Sequence, residues 1–252
     1  MPHNEDTVTM QNNIGQHTLS KSVILHLLPG FLVGGFYFLI VPLVKAYGFP
    51  SIMALTLAGV IVLIPFELGF LLYQKYSLRQ KLRSEVIKYC KPMPIWQYFV
   101  WVLVVFVLSG LIFTAVKFTS DFFVGFFKWI PSERLLDMGL TKEFTKQKLI
   151  ITYGVSFLFL ALIVPTIEEL YFRGYLLPRM PSRLKGWAVP IHSALFALYH
   201  VWTPWMFFVR ALGLLPLVYV VKWKENVLIG IIAHCLLNSL DFIIGFAFIA
   251  NY

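Results

Sequence analysis

The sequence predicts an all-α protein, a polytopic transmembrane helical bundle with about seven to eight membrane helices. Of its 252 residues, 59% are hydrophobic and only 13% are charged, whereas a soluble domain is closer to half apolar and a quarter charged. Aromatic residues make up 17% of the chain, with 24 Phe, which is more than one soluble core of this size can bury. Lipid must therefore solvate much of the surface.

Seven segments reach or approach the roughly 20 apolar residues that a membrane-spanning helix needs. They are 23–44, 52–73, 95–116, 149–165, 187–202, 205–221 and 227–250. The charged segment 166–177 follows Pro165 and either continues the fourth helix or forms a separate half-helix. The chain divides into a polar cytoplasmic tail (1–21), N-terminal membrane helices (22–147) and a second membrane region (148–250).

Basic residues in the short connections predict the orientation. The loop 74–94 holds six Lys or Arg against one acid, Glu85, which indicates a cytoplasmic loop. The N-terminus is then cytoplasmic, and the loop 118–148, whose bases are largely balanced by acids, lies outside. We expect an integral protein of the cell (plasma) membrane. The net charge of +9 lies mostly in these connections, and no nucleic-acid-binding motif accompanies it, so we expect no nucleic-acid partner.

Charged residues at bilayer depth point to a functional site in the second membrane region. Glu168, Glu169 and Arg173 would together cost on the order of 8–10 kcal/mol if they faced lipid. On a helix, Glu169 and Arg173 are one turn apart in the order that pairs best. Glu168 points about 100° away and is free for general-base chemistry. The alternative is that all three lie at the cytoplasmic interface beside Arg179.

Two later apolar segments carry polar residues that can join Glu168. His200 ends one predicted helix, and His234 and Asn238 share a face of the last one at i, i+4. Alone, each is more typical of a packed histidine or a helix–helix hydrogen bond. Together they indicate either a metal site or a Glu–His pair that activates water, with the second His and Asn as oxyanion donors.

The order E-E-x-x-x-R, F-x-x-x-H and H-x-x-x-N resembles the CAAX-protease and bacteriocin-processing family of intramembrane endopeptidases. This family is also called CPBP or Abi, and its eukaryotic relatives are the type II CAAX prenyl proteases. The matching residues are Glu168, Glu169, Arg173, Phe196, His200, His234 and Asn238. The resemblance covers about 148–250, while the N-terminal half is similar only as generic membrane helices.

The resemblance implies a catalytic cluster inside the bundle that opens toward the cytosol. Glu168 would act with His200 to activate water, and His234 and Asn238 would bind metal or stabilise the oxyanion. Glu169, Arg173 and Phe196 would be supporting residues. If a divalent metal such as zinc is used, its ligands would be Glu168, His200 and His234; the sequence leaves that question open.

The resemblance therefore predicts an endopeptidase that hydrolyses a peptide bond in a membrane-associated protein or peptide. A non-catalytic bacteriocin-immunity or scaffold protein on the same fold is the first alternative. A small proton-coupled transporter is the second, although no paired halves resemble inverted repeats. Glu67 and Arg210 are expected to pair with each other or to snorkel, and Asp241, one turn past Asn238, is a candidate supporting residue.

Overall fold

The computed structural model describes residues 15–252, and these residues form helices with no β-strand among them. The helical elements are α1 (Leu19–Ala46), α2 (Ile52–Ser77), α3 (Ile95–Phe127), α4 (Lys146–Arg179), α5 (Ala188–Tyr199), α6 (Pro204–Gly213), α7 (Leu215–Lys224) and α8 (Val227–Ala250). The prediction of an all-α polytopic bundle is confirmed. Of the predicted tail 1–21, residues 1–14 lie outside the described part of the chain, and α1 begins at Leu19 after the N-cap Thr18.

Five of the described helices are long and apolar enough to cross a membrane: α1, α2, α3, α4 and α8. The helices α6 and α7 are bent by 42° and count as a sixth candidate if they form one span. The remaining predicted segment, 187–202, contains α5, which has only 12 residues. This helix ends early because His200 leaves the helical region, with φ −79° and ψ 57°.

The fourth span, α4, is continuous through Pro165 and reaches Arg179 over 34 residues. The structure therefore selects continuation over a separate half-helix at 166–177. Proline has no N–H to donate one turn back, and the turns before it, Phe157–Ile163, widen into a π-helix. The same arrangement precedes Pro65 in α2, where Gly59–Leu63 is π-helical.

The connections gather at two ends of the bundle. At the first, which we call the basic end, the loops 78–94 and 225–226 meet the last turns of α4. Lys88 N–H donates to Gly174 O at 3.0 Å, and Val227 N–H donates to Tyr89 O at 2.8 Å. At the other, which we call the opposite end, Ile52 N–H donates to Asp137 O at 3.0 Å. The Tyr252 hydroxyl donates to Phe144 O there at 2.6 Å.

The outer surface of the helices is strongly apolar, as a lipid-facing surface requires. Leu39, Ile95 and Phe99 are each 75% exposed. So much exposed apolar surface on so many helices would be unfavourable in water. Trp129 and Trp187 are also exposed, near the opposite and basic ends respectively, where amphipathic aromatic rings favour the membrane interface. These features support an integral membrane protein.

A close helix crossing fixes the position of His200. On α1, Gly30 and Gly34 lie four residues apart and face the end of α5. A Cβ at Gly30 would come within 2.0 Å of Tyr199 O, and one at Gly34 within 2.3 Å of a Val201 methyl. Small residues at this spacing let two backbones approach, so α1 holds the segment that carries His200.

Candidate active site

A cavity of about 620 Å³ lies among the helices, and Glu168, His200, His234 and Asn238 all line it. The ring of Phe196 forms part of the same wall. The four residues come from α4, from the end of α5 and from α8, so the chain brings three separate segments to one point. The structure thus brings together the residues that the three sequence motifs predict.

Glu168 lies at the inner part of the cavity and is only 4% exposed. Its ionisable neighbours are His234, Arg173 and Glu169, and the hydroxyl of Tyr199 lies near its carboxylate. The π-helical stretch Glu169–Leu176 begins directly after it. Single π-helical segments of this kind recur at functional sites because they turn side chains out of the regular helix pattern.

His200 is anchored through one ring nitrogen. Its Nδ1 lies 2.9 Å from the carbonyl oxygen of Phe196. A carbonyl can only accept, so Nδ1 carries the proton in this contact, and the neutral ring keeps its lone pair on Nε2. The Phe196 and Trp202 rings flank the imidazole at centroid distances of 4.9 and 5.0 Å. His200 is therefore oriented to accept a hydrogen bond at Nε2.

His234 is held by Glu169, not by Glu168. Its Nδ1 lies 2.9 Å from Glu169 Oε1, and the same oxygen lies 3.1 Å from Arg173 Nη1. Both Glu169 and Arg173 are fully buried behind the cavity wall. The Arg173 guanidinium also stacks on the Phe196 ring at 3.9 Å. The i, i+4 pairing of Glu169 with Arg173 is thus present, and it extends to a histidine on another helix.

Asn238 lies one turn beyond His234 on α8. Its side-chain amide nitrogen donates to Leu160 O at 3.0 Å, which fixes the amide orientation because that carbonyl can only accept. One N–H and the amide oxygen are left for other contacts. The side chain joins α8 to the π-helical part of α4 and lines the cavity as well.

The three residues expected to bind a divalent metal, Glu168, His200 and His234, line one cavity but do not form a three-ligand group among the described residues. In residues 15–252, no three His, Cys, Asp or Glu side chains are grouped closely enough to hold a metal ion. Each histidine binds a protein partner through Nδ1, which leaves its Nε2 available as a ligand or a hydrogen-bond partner. A divalent metal at this site therefore stays a prediction.

Two charged residues differ from their expected roles. Glu67 and Arg210 do not pair with each other: the carboxylate of Glu67 is fully buried with no hydrogen-bond partner among the described residues. Arg210 lines the cavity and donates from Nη1 to Thr203 O at 3.2 Å. Its acidic neighbours are Glu168 and Asp241, and Asp241 also lines the cavity. The expected pair is wrong because α2 and α6 turn these side chains to different surroundings.

The site contains residues that the motifs do not include. Tyr199 lies beside Glu168, and Trp202 lies against His200. Neither could be singled out from the sequence, because the chain has 12 Tyr and 7 Trp. Arg210 did carry a signal, since it is a lone charge in an apolar run, but the sequence did not reveal that it faces the cavity.

Fold and site together define a class: a polytopic membrane protein with a glutamate–histidine–asparagine cluster in a cavity among its helices. Residues 150–240 match a family model described as type II CAAX prenyl endopeptidase Rce1-like. This C-terminal membrane region is therefore similar to the Rce1-like family, and the resemblance to CAAX proteases is confirmed. No curated protein matches the chain, and no solved structure matches it.

Proposed function

We propose that this chain is an intramembrane endopeptidase that cleaves a membrane-associated protein or peptide in the plasma membrane. The observation that carries the proposal is the convergence of Glu168, His200, His234 and Asn238 on one cavity. A scaffold or immunity protein has no need to gather these four groups. The family match over 150–240 supports the same reaction class.

In the proposed mechanism, Glu168 acts as the general base. Its carboxylate takes a proton from a water molecule while His200 Nε2 accepts a hydrogen bond from the same water. The water oxygen attacks the scissile carbonyl carbon, and the carbonyl oxygen becomes an oxyanion. Glu168 then returns the proton to the amide nitrogen, the C–N bond breaks, and the products leave as a carboxylic acid and an amine.

Asn238 and His234 are the proposed oxyanion donors. The free amide N–H of Asn238 can donate directly. His234 can donate from Nε2 when its ring carries both protons, with Nδ1 held by the Glu169 carboxylate. Donors held in place before the reaction typically contribute on the order of 100- to 1000-fold to such steps.

The test compares protein N-termini in host membranes that express the wild type, Glu168→Gln or Glu133→Gln at equal levels. Gln keeps the shape of Glu168 and removes its basicity, so we expect the rate to fall by about 100- to 10,000-fold. Glu133 is an exposed loop residue and serves as the matched control. New N-termini should appear with the wild type and Glu133→Gln and be absent with Glu168→Gln.

A different pattern would contradict the proposal. If all three membranes share the same termini, and all three proteins are folded and inserted, the chain is not an endopeptidase in that host. If the Glu168→Gln variant then still produced the cellular phenotype of the wild type, the non-catalytic immunity or scaffold role would be favoured. Thermal unfolding in detergent verifies that the Glu168→Gln protein is folded.

A further inference from the structure

A second cavity, of about 340 Å³, lies at the basic end of the bundle, and we call it the basic-end cavity. Its wall comes from residues 15–21 at the start of α1, from residues 74–88 around the basic loop and from the last turns of α4. It shares no lining residue with the cavity that holds Glu168. Its volume lies within the range of roughly 300–1,000 Å³ that is usual for small-molecule sites.

Hydrogen bonds and stacking hold these three segments together around the basic-end cavity. The backbone N–H of His17 donates to Arg179 O at 2.8 Å. The Arg179 guanidinium donates from Nη1 to Val86 O and Tyr175 O, each at 2.9 Å, and from Nη2 to Glu85 O. It also stacks on the Tyr175 ring at 4.0 Å. The guanidinium is thus fixed in place, and two of its five N–H groups are left for another partner.

The charges that line the basic-end cavity are not balanced. Three cations, Lys21, Lys88 and Arg179, face one acid, Glu85. The Glu85 carboxylate accepts the backbone N–H of Lys81 at 2.9 Å. In the described part of the chain, none of the three cations forms an ion pair with a carboxylate. Arg179 is only 7% exposed, so an anion that enters the cavity would meet a buried positive charge.

Two buried polar atoms in the wall lack a partner. His17 is 6% exposed, and its Nδ1 makes no hydrogen bond within residues 15–252. Gln80 Oε1 is buried and unpaired in the same way. Burial, with the nearby Lys21 and Arg179 cations, lowers the pKa of His17 to about 4, so its ring is neutral at pH 7. Buried polar atoms are normally paired, and these two therefore indicate a polar ligand.

From these observations we propose that the basic-end cavity binds a phosphate group, with Lys21, Lys88 and Arg179 as its cationic partners. Lys21 is the third residue of α1 and Arg179 is the last of α4, and both helices are candidate membrane spans. The cavity therefore lies where two spans end, at the level of lipid headgroups, and basic pockets in this position bind anionic headgroups. A hydroxyl group on the ligand would pair with Gln80 Oε1, which can only accept.

The phosphate belongs either to a lipid headgroup or to a soluble molecule, and the test separates these sources. Native mass spectrometry of the full-length protein in detergent measures binding of phosphatidylglycerol against phosphatidylcholine. Calorimetry measures binding of inorganic phosphate and glycerol phosphate. The cavity variant is Lys21→Gln/Lys88→Gln. The matched control is Lys81→Gln/Lys91→Gln, which removes the same charge at exposed positions outside the cavity.

We expect the wild type to bind phosphatidylglycerol more tightly than phosphatidylcholine. The cavity variant should bind it about 10-fold more weakly, because two charged hydrogen-bond donors are lost. The control variant should bind it as the wild type does. His17→Phe keeps an aromatic ring beside Tyr175 and removes the unpaired nitrogen, so we expect binding about fivefold weaker with unchanged thermal unfolding.

The same dependence on the cavity variant with only the soluble phosphates would support the site and make its ligand a soluble phosphate. Equal weakening in the two double variants would overturn the proposal, because general surface charge would then explain the binding. The proposal would also be overturned if neither soluble phosphate bound and phosphatidylglycerol bound no more tightly than phosphatidylcholine. These outcomes do not depend on the proposed endopeptidase reaction, since the basic-end cavity contains no residue of the Glu168 site.

Discussion

At the scale of single residues, one carboxylate oxygen of Glu169 holds two side chains of the site in position. Glu169 Oε1 forms an ion pair with Arg173 Nη1 at 3.1 Å and lies 2.9 Å from His234 Nδ1. The approach of Glu169 to α8 depends on Gly230, where a Cβ would lie 2.5 Å from Glu169 Oε2. Glu169 is thus a positioning residue: it touches a proposed catalytic histidine and does not line the cavity.

This arrangement predicts how the buried charges respond to substitution. Glu169→Gln leaves Arg173 as a buried cation without its counter-ion, which typically costs about 3–5 kcal/mol. Arg173→Met leaves Glu169 with only His234. We expect the double variant Glu169→Gln/Arg173→Met to lose less stability than the sum of the two single variants, because it removes both charges together.

Thermal or denaturant unfolding in detergent measures these differences. Glu133→Gln, on an exposed loop, is the control and should change stability by less than about 0.5 kcal/mol. Additive losses in the double variant would show that Glu169 and Arg173 do not act as a pair.

How far the site could be predicted depends on whether partners share a helix. The pairing of Glu169 with Arg173 follows from their spacing on α4, because residues four apart are neighbours on a helix. The contact between Glu169 and His234 spans 65 positions and depends on how α8 is rotated against α4. The wrong prediction for Glu67 and Arg210 has the same origin. The sequence shows which residues share a face of one helix, but it does not show which neighbouring helix that face packs against.

At the scale of helices, the proline-linked π-helical stretches explain why α4 runs unbroken past Pro165. A missing N–H leaves one carbonyl unpaired in the α pattern, and a wider turn redistributes the remaining hydrogen bonds. Pro178 near the end of α4 shows another solution. The carbonyl four residues before it belongs to Gly174, and this oxygen accepts the N–H of Lys88 from the basic loop. A proline in one helix thereby anchors a loop from another part of the chain.

The crossing of α1 and α5 gives a prediction with a matched control on the same helix. Gly30→Ala would bring a Cβ within 2.0 Å of Tyr199 O, so α1 and the His200 segment must move apart. At Gly35 nothing lies within 4 Å of the added Cβ. We expect Gly30→Ala to lower stability by about 1–3 kcal/mol and to reduce cleavage. Gly35→Ala should be neutral or stabilising by up to about 1 kcal/mol.

Unfolding in detergent and the yield of new N-termini check this pair. Equal behaviour of the two alanine variants would contradict the tight crossing. A loss of cleavage in Gly30→Ala without a change in His200 reactivity toward diethyl pyrocarbonate would also contradict the assigned cause.

At the scale of the whole molecule, the distribution of basic residues gives the bundle two unlike ends. The loop 78–94 is held at one end by contacts with α4 and α8, and its cations Arg79, Lys81, Arg83 and Lys91 are exposed. These positive charges can influence membrane insertion, because the number of Lys and Arg near each span determines which side stays in the cytoplasm.

Removing positive charges from that loop should therefore allow part of the protein to insert into the membrane in the inverted orientation. Changing Arg79, Lys81, Arg83 and Lys91 to Gln removes four of the six basic residues of the loop 74–94. The reporter is Ser182→Cys, an exposed position at the basic end, in a Cys90→Ser, Cys235→Ser background. We expect a mixed population, in which part of the protein reacts with a membrane-impermeant maleimide in intact cells, whereas the protein with the unchanged loop is protected. As a control, Lys128, Lys142 and Lys146 are exposed at the opposite end, and their change to Gln should leave Ser182→Cys protected. An unchanged orientation in the loop variant would show that these charges do not set it.

The overall architecture was predictable where helices are long and uniformly apolar. The helices α1, α2, α3 and α8 follow directly from runs that match the bilayer thickness. The region 188–224 was harder, because α5 stops at His200 and α6 and α7 are bent by 42°. Such short elements owe their positions to the helices around them, here to α1 through Gly30 and Gly34, and a count of apolar residues carries no information about those contacts.

The size of the cavity determines how much water is present for the proposed hydrolysis. A volume of about 620 Å³ corresponds to roughly 20 water molecules at about 30 Å³ each. One turnover consumes a single one of them. A hydrophobic segment that enters must send most of the others back to the bulk, and release of water from an apolar wall lowers the heat capacity of the complex. For the proposed reaction we therefore expect the free energy of emptying the cavity, while one water molecule stays beside Glu168, to matter more than the supply of water.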